Sequence, residues 1–140
     1  MKRILIDTNI ILDIALQREP FFGIAEQIFC KIDEGTIKGF VTASSVTDIY
    51  YVSKKSCGRE KTIAFIRELI DILEVLSVTR ETIIDALDTD FKDFEDAVQY
   101  CVADMNSIEI IVTRNKSDFR LSTIEVCTPD EFIEKITEKY

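Results

Sequence analysis

Five short apolar runs punctuate this chain, and each gap between them is long enough to hold at least one helix or a tight crossing. The runs are Ile4-Leu5-Ile6, Ile37 to Ala43, Val75 to Val78, Ile108 to Thr113 and Ile124 to Cys127. Near-continuous apolar strands of this kind are covered on both faces, which is the habit of a parallel sheet. The intervening segments carry helical signals. Ile10 to Leu16 is apolar except for Asp13. Pro20 opens a second helix whose face is Ala25, Ile28, Phe29 and Ile32, with Gly35 as its stop. Ser44 and Ser45 are candidate N-caps for a helix running to about Ser56, with Gly58 beyond it. Ile63, Ile66, Ile70 and Leu73 recur at helical steps, and further helices cover about Arg80 to Leu87 and Asp93 to Met105. Thr128-Pro129-Asp130-Glu131 opens a closing helix with acids in its first turn. Strands alternating with helices specify an α/β sandwich around a mainly parallel sheet. No repeat or boundary divides the chain, so residues 1–140 read as one domain.

Composition removes several chemistries. The 140 residues are 46% hydrophobic and contain no His, so histidine zinc sites, histidine acids and Ser-His or Cys-His nucleophiles are all excluded. Seventeen Lys plus Arg against 26 Asp plus Glu give a net charge of −9, which excludes binding of nucleic acid by bulk positive charge. A locally basic groove stays open. Cys30, Cys57, Cys101 and Cys127 form no CxxC pair, and the N-terminus opens on Lys2 and Arg3 without a leader pattern. The expectation is four small buried thiols in a reducing cytoplasm and no membrane span.

In parallel α/β folds ligands bind outside the carboxyl ends of the strands. Four acids fall on that edge. Asp7 follows the first strand, and Asp48 is expected in the first turn of the helix after the second. Asp96 lies in the first turn of the helix before Ile108 to Thr113, and Asp118 follows that strand. Clustered carboxylates repel unless protons or a cation compensate. Oxygen donors without His select Mg²⁺ or Mn²⁺, and such an ion polarises a phosphate and acidifies water, the chemistry of phosphodiester hydrolysis. Each acid also has an ordinary structural explanation. Ser45-Val46-Thr47-Asp48 and Asp93-Phe94-Glu95-Asp96 fit a capping box with Asp for Glu, and Asp7 suits a strand-to-helix cap. Convergence of all four on one edge favours the functional reading.

The segments Ile4 to Asp13, Ser44 to Asp48, Asp93 to Ala97 and Val112 to Phe119 resemble, in order, the four motifs of a PIN domain. That resemblance spans essentially the whole chain. It implies a three-layer α/β/α, Rossmann-like sheet of strand order 3-2-1-4-5. It also implies an Mg²⁺- or Mn²⁺-dependent ribonuclease, with VapC-type toxins of toxin–antitoxin pairs among the relatives. Asp7 and Asp96 match the first- and third-motif acids. Asp48 stands where the family usually has Glu. Asn115 stands where many relatives carry an acid, leaving Asp118 as the fourth carboxylate. Asp7, Asp48, Asp96 and Asp118 are therefore the expected catalytic metal ligands, with Asn9, Thr113, Asn115 and Asp93 in support. An RNA substrate, an antitoxin and a homodimer are the implied partners.

Lys54, Lys55, Arg59 and Lys61 form the densest basic patch, and Arg114, Lys116 and Arg120 lie beside the acidic edge. These are the expected phosphate contacts, although a charge run is commonly only solvated surface. From Asp85 to Asp104 there are seven acids and one Lys, so RNA is expected to avoid that surface. Asp13 reads equally as support for the site or as surface, while core packing is the default for Phe21, Phe22, Tyr50 and Tyr51. A dehalogenase-type phosphatase needs an acid at position 9, where this chain has Asn. The remaining rival is a PIN-like module that binds RNA or protein without cutting.

Overall fold

A computed structural model describes residues 1–139. Its five strands are β1 (Lys2–Ile6), β2 (Ile37–Thr42), β3 (Glu74–Leu76), β4 (Ile110–Val112) and β5 (Glu125–Cys127). They pair in parallel in the order β3-β2-β1-β4-β5, with Leu5 opposite both Phe40 and Ile111. The helices are α1 (Thr8–Ala15), α2 (Phe22–Asp33), α3 (Ala43–Cys57), α4 (Arg59–Ile72), α5 (Arg80–Leu87), α6 (Phe94–Met105) and α7 (Pro129–Lys139). A 3-10 turn, Lys116–Phe119, follows β4.

Alternation along the central strands sorts the core into two layers. Ile4, Ile6, Val41, Ile110 and Val112 face α1, α2, α3, α4 and α7, where Ile10, Ile28, Ile49, Leu69 and Phe132 meet them. Leu5, Phe40 and Ile111 face the other way, onto Ala86 of α5, Ala97, Val98 and Val102 of α6, and Phe119. The result is a three-layer α/β/α sandwich with a thick face and a thin one. Because β1 leads to β2 on one side and its other neighbour is β4, the chain reverses its winding between β1 and β4. A crevice opens at the carboxyl ends of these two strands.

Several local readings need correction. Thr42, not Ser44 or Ser45, caps α3: its side chain accepts the Ser45 N–H at 3.1 Å. The helix therefore starts earlier, and Asp48 sits in its second turn. Pro20 lies in a turn ahead of α2, closed by Phe22 N donating to Arg18 O at 2.8 Å. Strands β3, β4 and β5 are three residues each, shorter than their apolar runs, because the β4–β5 ladder pairs only Ile110–Val112 with Glu125–Cys127. All four thiols are free, yet Cys30 is exposed and Cys57 half-buried, since they occupy the outer side of α2 and the end of α3; only Cys101 and Cys127 are buried. Among the described residues no helix is long and apolar enough to cross a membrane.

Two glycines have positional reasons. Gly58 joins α3 to α4 with a φ of +83°, a conformation that a side chain disfavours. Gly39 lets β2 approach the helices closely: a Cβ there would stand 2.6 Å from both Ile32 Cδ1 and Leu73 Cδ2. Both of those side chains are themselves buried, so relief requires repacking. Gly39→Val is expected to destabilise the fold by about 1–3 kcal/mol, read as a lower midpoint in urea unfolding.

Candidate active site

The crevice between β1 and β4 is built on Asp7. Its backbone N–H donates to Val112 O at 3.0 Å, closing the seam between the two strands. Asp7 occupies the N-cap position of α1, but its carboxylate does not cap the helix. It accepts Gln99 Nε2 at 3.0 Å on one oxygen and the Thr113 hydroxyl at 2.8 Å on the other. Thr113 is fully buried and its hydroxyl accepts the Asn115 N–H at 3.1 Å. Two neutral donors from two elements thus fix the orientation of the carboxylate at the cleft floor.

The cleft has a volume of about 390 Å³ and is lined by Asp7, Asn9, Asp48, Asp93, Asp96 and Asp118, together with Glu95. Thr8, Leu12, Tyr51 and Val52 complete its wall. Among the described residues no Lys or Arg lines it. Asp93 caps α6 by accepting the Asp96 N–H at 3.1 Å, so it holds a structural post at the rim. Asn115 is not in the cleft; it lines a separate cavity with Arg114, Phe21 and Pro129.

Three participants escaped the reading of the sequence. Glu95 points a carboxylate at Asp48 and lies 3.2 Å from the Thr8 hydroxyl. Thr8 in turn is 2.7 Å from Ser45 Oγ, which receives Thr42 Oγ1 at 3.0 Å, so hydroxyls run from the end of β2 to Glu95. Gln99 is the third, one turn beyond Glu95 and Asp96 on α6. A buried Gln within the apolar stretch Ala97 to Val102 was the legible signal for it, because such a side chain needs a polar partner.

Crowded carboxylates resist ionisation. Burial, followed by the charges of Asp7, Asp93, Asp118 and Glu95, pushes the Asp96 carboxyl up to about 7. Burial, the hydrogen bond shared with Asp48 and the Asp48 charge push Glu95 up to about 7 as well, against the hydrogen bond from Thr8. The donor set is therefore all oxygen, largely carboxylate, with no cation opposite. Among the described residues no three such side chains are gathered into a ready-made ion cage. This donor set suits a hard divalent ion that keeps much of its water shell, as Mg²⁺ does.

The expected basic contacts are scattered. Lys54, Lys55 and Arg59 are exposed around the far end of α3, and Lys61 lines a separate cavity with Ser53 and Phe65. Arg114 is engaged by Asp13, Nε lying 3.0 Å from Oδ2 as an ion pair without hydrogen-bond alignment, and it stacks 3.9 Å above the Phe21 ring. Asp13 is 1% exposed and also meets Arg18 at 3.7 Å, so it is an internal anchor of α1 rather than a surface acid. Burial raises its carboxyl, against the two arginines. Lys116 pairs with Glu131 at 3.2 Å. Tyr51 is 60% exposed on the cleft wall, unlike the core packing expected of it.

A parallel α/β sandwich with a carboxylate-lined cleft at its switch point defines a class of domain in which the acids come from strand ends and adjoining helices. The model of the PIN domain family matches residues 3–117, and the chain belongs to that family. Ribonuclease VapC1 of Aquifex aeolicus is 28% identical over 139 residues, covering 96% of this chain and 95% of that protein. Among solved structures, a toxin–antitoxin complex from Klebsiella pneumoniae superposes with a TM-score of 0.68 at 21% identity, covering 90% of this chain and 97% of the other. Mycobacterium tuberculosis VapC20, described as a sarcin–ricin loop cleaving toxin, gives 0.63 at 14% identity over 77% of this chain and 86% of the other.

The raised carboxyls have a signed consequence. Between the ordinary carboxyl range near 4 and about 7 the folded chain holds protons that the unfolded chain has released, so stability falls as pH rises through that window. Metal-free protein is expected to melt at a lower temperature at pH 8 than at pH 5.5, and Asp96→Asn to flatten that slope. Calorimetry of both proteins at the two pH values reads it directly.

Proposed function

We propose that this chain is a divalent-metal-dependent endoribonuclease, acting as the toxin of a toxin–antitoxin pair in the cytoplasm. The observation that carries the proposal is the placement of Asp7, Asp48, Asp96 and Asp118 around one cation-free cleft at the sheet's switch point. Membership of the PIN family, the ribonuclease relative and the toxin–antitoxin likeness support the activity and the partner.

Asp7, Asp48, Asp96 and Asp118 are the ligands we assign, with Glu95 as a fifth carboxylate. Asp48 is short of a methylene, and Glu95 reaches it from α6, so the two sides of the cleft meet without a Glu on α3. Mg²⁺ or Mn²⁺ held by these carboxylates would supply Lewis-acid polarisation of the scissile phosphate and would acidify water. Gln99 and Thr113 keep the Asp7 oxygens turned to the cleft. Without a cation the Glu95 carboxyl is held up at about 7 by burial and by Asp48, and a bound divalent ion would favour its ionised form as a ligand at the cleft wall. Asn9 and Asp93 line the same cleft and support its shape, whereas Asn115 acts only through Thr113. An antitoxin and a second copy of the chain are the proposed protein partners.

Cleavage of structured RNA is expected with Mn²⁺ or Mg²⁺ and not with EDTA. Asp7→Asn should lower it by more than about a hundredfold, exceeding the usual cost of losing a residue that merely orients a ligand. Thr113→Val should retain the fold and lower cleavage about ten- to a hundredfold. Gel-resolved cleavage rates with folded protein at matched concentration check both. RNA retention without cutting under any metal would instead establish a binding module.

A further inference from the structure

The cleft that holds the acids offers nothing positive to a polyanion, so an RNA strand must be held from outside it. A second cavity of about 250 Å³ adjoins it, sharing Asp93, Asp96 and Asp118 as a common wall. Its lining contains two cations, Lys92 and Arg120. Both are exposed, and neither makes an ion pair among the described residues. They differ in this from Arg114 and Lys116, which are already paired with Asp13 and Glu131. Its apolar wall is Phe91 and Leu121, the latter 45% exposed. Asp90 and Ser117 add polar groups at the same cavity. The space equals about eight liquid waters, enough for one nucleobase.

Resting on the ribonuclease reading above, we propose that this cavity is the nucleotide subsite beside the scissile bond. Lys92 and Arg120 grip the adjacent phosphate of a single-stranded RNA, and the attached base lies against Phe91 and Leu121. The Asp90 carboxylate accepts from a base amino or imino N–H, and the Ser117 hydroxyl serves either a donor or an acceptor on the base edge. The acidic stretch around α6, expected to repel RNA, thus contributes one unpaired cation, Lys92, to a cavity that shares its wall with the acids, and Arg120 joins it from the end of the 3-10 turn. The strand enters over the loop before α6 and the 3-10 turn, not over the basic end of α3.

Binding separates this subsite from the chemistry. In full-length protein carrying Asp7→Asn, with Mg²⁺ present, fluorescence anisotropy would follow short labelled homopolymer RNAs across a salt series. Adding Lys92→Ala and Arg120→Ala is expected to weaken binding and to lower the slope of log affinity on log salt by about 0.7, the value for one single-strand phosphate. Replacing Lys54, Lys55, Arg59 and Lys61 with Ala should leave the slope nearly unchanged. The parent should favour one homopolymer, and Asp90→Ala with Ser117→Ala should erase that preference, whereas Leu121→Ala should weaken all the homopolymers alike. An unchanged slope in the Lys92/Arg120 variant, or no base preference in the parent, overturns the subsite even if the wild type cuts RNA with Mn²⁺. Failure of the wild type either to bind or to cut RNA would overturn the ribonuclease reading along with it.

Discussion

The carboxylate of Asp7 and its two hydrogen bonds hold this architecture to its purpose. The residue closes the seam between β1 and β4 through its N–H, while Gln99 and Thr113 fasten its oxygens from α6 and the end of β4. A buried acid with neither donor would face its full desolvation cost. With both, its position is defined by the central strands themselves, the most deeply buried part of the molecule. The remaining acids then take their places relative to it: Asp48 from the helix after β2, Glu95 and Asp96 from α6, Asp118 from the turn after β4.

The global plan was legible because two simple signals agree. Apolar strands such as Ile4-Leu5-Ile6 announced a sheet covered on both sides, and the placing of Asp7, Asp96 and Asp118 just beyond or before such strands announced an edge. Local detail was less legible where one residue has two duties. Thr42 is both the last residue of β2 and the cap of α3, so its β-branched side chain reads as strand while its hydroxyl starts a helix. Asp93-Phe94-Glu95-Asp96 satisfied a capping pattern so fully that Glu95 carried no separate signal. Gln99 and Arg114 depended on contacts across more than ninety residues, which no local spacing encodes. Asp13 belongs with them in part: Arg18 follows it by five residues, but Arg114 reaches it only where α1 meets the residues after β4.

Charge is distributed with the same economy. Arginines that the sequence offers to a polyanion are partly consumed inside: Arg114 and Arg18 neutralise Asp13, and Arg114 also covers Phe21. Arg3 lies 4.5 Å over the Phe40 ring and donates to Asn106 O at 2.8 Å, sealing the opposite end of β1. A net charge of −9 is therefore no guide to where a nucleic acid would touch. What matters is which cations are left without partners near the acids.

The first turn of α6 has one more consequence. Glu95 and Asp96 sit at the positive end of that helix, with Asp93 as its cap, so backbone dipoles absorb part of their repulsion. Protons bound near neutrality absorb another part. Both compensations lie within the polypeptide itself, whereas in small zinc-nucleated modules the metal supplies the folding energy. The turn that crowds these acids thus also shares out their mutual repulsion, so the crowding limits itself.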